Sequence, residues 1–149
     1  MLDPRNGIVS LFSNSRIGAT TEYGTRYVSV ELREDNENAT LSHDNTGVIL
    51  LEKPDITSHV IKIDGKTTED VATILANMWI KKEKGMKNPD EFVNSILDTF
   101  QNEIIDHHLD PDSTTRVITF DGVVNVPSES PELIRKTIML TACGYKIRS

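Results

Sequence analysis

Apolar and polar positions change period along this chain, and the longest stretch with helical spacing lies in its middle. From Thr67 onward, Val71, Ile74, Leu75, Met78 and Trp79 recur at the spacing of one helix face, and Thr67 with Asp70 three residues later forms a capping box. This spacing predicts a helix that stops near Gly85. A second helix is expected to open at Asn88-Pro89-Asp90-Glu91 and run to about Leu109. Asn88 can cap it, Pro89 suits its first turn, and the two acids complement its dipole. Its buried stripe reads Phe92, Ile96, Phe100 and Ile104, widened by Val93, Leu97 and Ile105. The short connection from Lys84 to Lys87 favours antiparallel neighbours.

On either side of this helical pair the period falls to two. Val28, Val30 and Leu32 alternate against Tyr27, Ser29 and Glu31, the pattern of a strand with one wet face. Gly47 to Glu52 and His59 to Asp64 read as further strands, and Gly7 to Ser13 as a shorter one. Two loops, Asn14 to Thr25 and Glu34 to Thr46, interrupt what is expected to be an antiparallel meander. Beyond the pair, Thr115 to Phe120 is a strand, Asp121-Gly122 a turn, and Val123 to Val126 the returning arm of a hairpin. Ser130-Pro131-Glu132 reads as the start of a third helix carrying Leu133, Ile134, Thr137, Ile138 and Thr141 on one face. Gly144 would end it, and Tyr145 to Ile147 would add a last short strand.

The expected fold is therefore α+β: a mostly antiparallel sheet packed by two consecutive amphipathic helices and a C-terminal helix. It forms a single domain over residues 1–149, with a β-rich part at 7–64, the helical pair at 67–109 and a strand-helix part at 115–149. A chain of 149 residues buries enough surface to fold without staples. No internal repeat or linker calls for a second domain.

Charge narrows the partners. Sixteen Lys and Arg against 23 Asp and Glu give a net charge of −7, which disfavours broad binding to nucleic acid or to anionic membrane. No apolar run approaches the roughly 20 residues that span a bilayer. The opening Met1-Leu2-Asp3-Pro4-Arg5-Asn6-Gly7 lacks the apolar core of a secretory signal, so the sequon at Asn38 reads as accidental and the expected location is the cytoplasm or a particle. The single cysteine, Cys143, is expected to be a buried, inert thiol within the third helix.

Two segments have residue types from which chemistry is built. If the second helix reaches Leu109, then Glu103, Asp106, His107 and Asp110 share one face, and oxygen and imidazole donors so spaced can hold a divalent metal that activates water. The simpler reading of the same positions, which lie largely away from the apolar stripe, is an ordinary solvated helix face. The triplet Asp106-His107-His108 resembles the Asp-His-His element of a phosphoesterase family that uses paired metals. That family also needs aspartates on preceding strands of a larger parallel α/β domain, and no such motif precedes the triplet here. The second segment is the glycine-bearing loop from Ser13 to Gly24, where Arg16, Gly18, Thr20 and Thr21 could cradle a phosphate or nucleotide. It lacks the glycine followed by Lys and Ser or Thr that defines a P-loop. A long hairpin connection or a subunit-contact arm is the simpler reading.

The basic cluster from Lys81 to Lys87 suits a helix C-terminus. His43 and His59 are isolated and read as surface or edge residues, and Trp79 as helix packing. No nucleophile motif stands out. The sequence thus points to a non-enzymatic structural or interaction subunit with protein partners, in a homo-oligomer or a larger assembly such as a viral or phage particle, or to a phage-encoded host-binding protein. It implies no cofactor. A small-ligand or nucleotide-binding protein using the 13–24 loop is the alternative, and a metal-dependent hydrolase using the 103–110 face comes third.

Overall fold

The structure is a computed structural model that describes residues 4–22, 24–33, 45–60, 65–83, 86, 88–106, 115–128 and 130–147. The described residues are mostly β, 57% strand and 23% helical, with one helix of seven or more residues among them. The expected sheet packed by three amphipathic helices is not what forms. One curled, mixed sheet of seven strands does.

Its centre is β5 (Thr67–Lys81), the segment whose spacing predicted the first helix. Thr68, Asp70, Ala72, Ile74, Ala76, Met78 and Ile80 are buried and face one side, while Leu75 on the other side is 43% exposed. Period two therefore governs, and the helical spacing of Val71, Ile74, Leu75 and Met78 is a coincidence of a segment apolar on both faces. The β-branched residues Thr67, Thr68, Val71, Thr73, Ile74 and Ile80, together with Trp79, favour the extended backbone. The Thr67/Asp70 pair caps nothing: Asp70 accepts a hydrogen bond from the Ser58 hydroxyl at 2.6 Å.

The predicted third helix is likewise a strand, β7 (Leu133–Ile147), paired antiparallel with β5 over its whole length. Ser130-Pro131-Glu132 forms the turn that precedes it, closed by the Leu133 N–H donating to the Ser130 carbonyl at 3.2 Å. Ile138, Leu140, Ala142 and Gly144 are its buried positions. The hairpin expected around Asp121-Gly122 is absent, because β6 (Thr115–Val126) runs straight through. The Asp-Gly pair is a β-bulge between Phe120 and Gly122, where Gly122 takes φ +152°, a region that favours glycine. The extra residue turns the Asp121 carboxylate toward the hydroxyls of Thr119 and Thr141, from both of which it accepts hydrogen bonds.

Toward the N-terminus, the expected strand at Gly7 to Ser13 is a short helix, α1 (Arg5–Ser10), followed by a 3-10 turn. The expected loop at Asn14 to Thr25 is largely strand: β1 (Arg16–Thr21) forms a tight hairpin with β2 (Gly24–Leu32). Next, β3 (Gly47–Leu51) pairs with β2 in parallel, so the meander is not purely antiparallel. Then β4 (Asp55–Val60) begins four residues before the strand expected at His59, and residues 61–64 lie outside the described residues. The strand order is β1-β2-β3-β5-β7-β6, with β4 on the same edge of β5 as β3.

The long helix, α2 (Pro89–Asp106), forms where its sequence predicts, and residues 107–109 of its expected span lie outside the described residues. Asn88 Oδ1 accepts the Glu91 N–H at 3.3 Å, and Phe92, Val93, Ile96, Phe100 and Ile104 are buried. The helix packs against both β1 and β6, so the sheet curls around it. Phe100 stacks on Phe12 at 5.5 Å, and Ile8 of α1 joins the same core with Val28, Val30, Ile49, Leu51, Ile74 and Met78. The buried Arg5 guanidinium donates to the carbonyls of Arg33 and Leu51, both at 3.1 Å, tying α1 to the ends of β2 and β3.

Candidate functional site

The four residues predicted to cradle a ligand separate. All lie on β1, where side chains alternate between faces. On the face away from the core, the Arg16 guanidinium sits 3.9 Å over the Tyr27 ring. A Cβ added to Gly18 would meet that ring at 3.0 Å, so the glycine makes room for the aromatic. Thr20 and Thr21 do line a cleft of about 310 Å³ between the hairpin end and the start of α2, with Glu22, Asn88, Glu91 and Phe92. The Thr21 hydroxyl donates to the Gly24 carbonyl at 2.7 Å. With Glu22 and Glu91 in its wall and Arg16 not part of it, the cleft has the wrong charge for a phosphate.

The predicted metal face is only partly within view. Glu103 lies on α2 and Asp106 ends it, whereas His107 and Asp110 lie outside the described residues, as does His43. Among the described residues no group of three or more His, Cys, Asp or Glu side chains is placed to hold a metal ion. The basic cluster sits differently from its expectation. Lys81 closes a strand, and Glu83 pairs with Arg26 at 3.0 Å and accepts from the Thr46 hydroxyl at 3.0 Å; Lys84, Gly85 and Lys87 lie outside the described residues.

A second cleft, of about 480 Å³, lies on the opposite flank of the α2 start, where Asp90 and Asn94 face Asn125, Arg135 and Lys136. Lys136 Nζ donates to Asn125 Oδ1 at 2.8 Å. Both signs of charge are present, and no side chain is arranged as nucleophile and base. Trp79, on a strand rather than a helix, carries the Arg135 guanidinium 5.0 Å from its ring centre. Near it on the same face, Glu52 accepts from Asn77 at 2.8 Å and pairs with Arg33 at 2.8 Å, while the Thr137 hydroxyl donates to Asn77 at 2.8 Å. Cys143 is half-buried on β7 rather than in a helix. Burial, then the charges of Glu69 and Asp121, push its thiol above its ordinary pKa, which keeps it protonated and a poor nucleophile.

Among the described residues, one strand edge stands open. β3 and β4 follow one another along β5, Leu51 opposite Ala76 and Asp55 opposite Thr73, so three residues, Glu52, Lys53 and Pro54, span two on the partner. Pro54 can donate no ladder hydrogen bond at this break. Before it, all five residues of β3 are buried between β2 and β5; after it, all six of β4 are exposed. Among the described residues, β5 is the only strand that pairs with β4. Ile56 is 40% and Val60 63% exposed. His59 stands on this strand, opposite Glu69 of β5, in the edge placement its sequence predicts.

Sequence reasoning placed a strand near here but not its exposure. The signal was the run Asp55-Ile56-Thr57-Ser58-His59-Val60, whose mixture of polar and modest apolar residues suits a strand open to water on more than one side. No protein-family model matches the chain, and curated proteins give no significant match. Among the described residues no helix is long and apolar enough to cross a membrane.

Proposed function

We propose that this protein is a non-enzymatic interaction subunit that works through its open sheet edge, in a homo-oligomer or a larger assembly. The observation that carries this reading is β4, a strand with six exposed residues, two of them large and apolar, whose outer edge is unpaired among the described residues. An exposed edge presents a row of N–H and C=O groups that another strand can complete. The cleft at Thr20 and Thr21 weighs against the ligand-binding alternative, since Glu22 and Glu91 line it where a phosphate needs cations.

Native mass spectrometry of the purified protein across a range of concentrations tests this reading. Masses at multiples of the chain, or with a protein partner retained, are expected. A monomer at every concentration that carries a small-molecule or metal mass would overturn it and turn attention to the cleft at Thr20 and Thr21.

A further inference from the structure

Resting on that reading, we propose that the partner at this edge is a second copy of the chain, joined by antiparallel pairing of the two β4 strands about a two-fold axis at Thr57. The strand is self-complementary in this direction. Asp55, Thr57 and His59 share one face, and Ile56, Ser58 and Val60 the other, as their register on β5 fixes. With Thr57 opposite its own copy, Asp55 stands opposite the partner's His59 and His59 opposite the partner's Asp55. One imidazole N–H then meets one carboxylate twice, on the same face of a continuous sheet. Each His59 lies between Glu69 of its own chain and the partner's Asp55, with no cation opposed to it.

The other face gains as well. Ile56 falls opposite the partner's Ser58 and diagonal to the partner's Val60, so the two exposed apolar side chains of each strand cover one another. Shifting the axis to Ser58 makes those apolar pairs direct and leaves the Asp55 and His59 contacts as diagonals, so both pairings survive either register. A parallel arrangement fails the same comparison, since it places Asp55 opposite Asp55 and His59 opposite His59. The two-fold contact is closed: each edge is used once and the assembly stops at two. Five paired residues make a small interface, which predicts a dimer that forms and dissociates with concentration.

Sedimentation velocity over a concentration series tests this with variants at exposed positions, whose folding is checked by thermal melting. Asp55→Lys alone and His59→Glu alone are each expected to weaken the dimer by about tenfold or more, because each sets like or repelling groups opposite one another twice. Mixing the two variants is expected to restore dimer, as a heterodimer in which both cross-strand pairs again attract. Mixing would not restore a dimer weakened merely by damage to β4, so failure of the mixture overturns the proposal. A wild-type oligomer that neither substitution alters, or one that grows beyond two chains, also overturns it while leaving the interaction-subunit reading in place. A chain that is monomeric alone but retains a different protein partner has the same meaning. A ligand-bearing monomer overturns both.

Discussion

Strands β3 and β4 are consecutive, lie along the same edge of β5 and run in the same direction, yet one is wholly buried and the other wholly exposed. What differs is what lies beside and above them. β3 has β2 on its other edge, α1 anchored to its end through Arg5, and the core under Ile49 and Leu51. β4 follows the proline break and, among the described residues, has only β5. Their sequences follow their surroundings, Gly47-Val48-Ile49-Leu50-Leu51 against Asp55-Ile56-Thr57-Ser58-His59-Val60. The first spends its residues on the monomer; the second keeps polar and apolar groups in an order that suits a further strand. One continuous edge of β5 is thus covered in its first half and open in its second, and the open half is where we propose that recognition takes place.

Substitutions of increasing gentleness sharpen the contrast. Ile49 is fully buried at the centre of β3, so Ile49→Ala is expected to destabilise the chain by about 3 kcal/mol in urea unfolding, through lost apolar burial and the cavity left behind. Gly47→Ala should cost about 2 kcal/mol, because the added Cβ would stand 2.5 Å from the Trp79 carbonyl oxygen, a backbone atom that cannot swing away. Both test the claim that β3 has no slack.

Asn88→Ala removes the cap of the helix that covers the core, and a loss of about 1 kcal/mol is expected from the same unfolding curves. Ile56→Ala, at a side chain of the same type as Ile49, should change monomer stability by less than about 0.5 kcal/mol when measured at concentrations too low for association. A cost near that of Ile49→Ala would show that β4 is covered within the monomer and would remove the contrast. The smallest effect expected is at Cys143. Its raised pKa means that the folded protein holds the thiol proton into more alkaline solution than the unfolded chain does. Alkylation by iodoacetamide should therefore be slower than in urea at neutral pH, accelerating only as the pH climbs past the ordinary thiol range.

How much of this was legible depended on whether local and global signals agreed. In α2 they did: Asn88, Pro89, the two acids and the Phe92, Ile96, Phe100, Ile104 stripe all specify one helix with one buried face, and that helix forms. In β5 and β7 they did not. Both strands are central in the sheet and carry apolar residues on two faces, so Val71, Ile74, Leu75 and Met78 imitate helical spacing while Ala72, Ile74, Ala76 and Met78 are the set that is buried. The content of β-branched residues was the better guide there. Asp121-Gly122 carries a hairpin signal that a bulge also satisfies, and only the partner strand decides between them.

For the site, Thr20 and Thr21 were read as part of a phosphate-cradling loop; they line a cleft whose acids are the neighbouring Glu22 and, from α2 far along the chain, Glu91. Arg16 was read as part of that cradle, and the tight approach that Gly18 permits places Tyr27 beneath it. The openness of β4 was written locally only in the polar mixture of Asp55 to Val60, and an edge is decided by which strands stand beside it rather than by its own residues.

Hydrogen exchange of the β4 amides at low and high protein concentration bears most directly on the role of this edge. The alternate amides that point away from β5 are expected to exchange rapidly when dilute and to become protected as concentration rises, while the amides of β3 stay slow throughout. Exchange in β4 that does not depend on concentration, in a protein that nevertheless associates, would contradict the account.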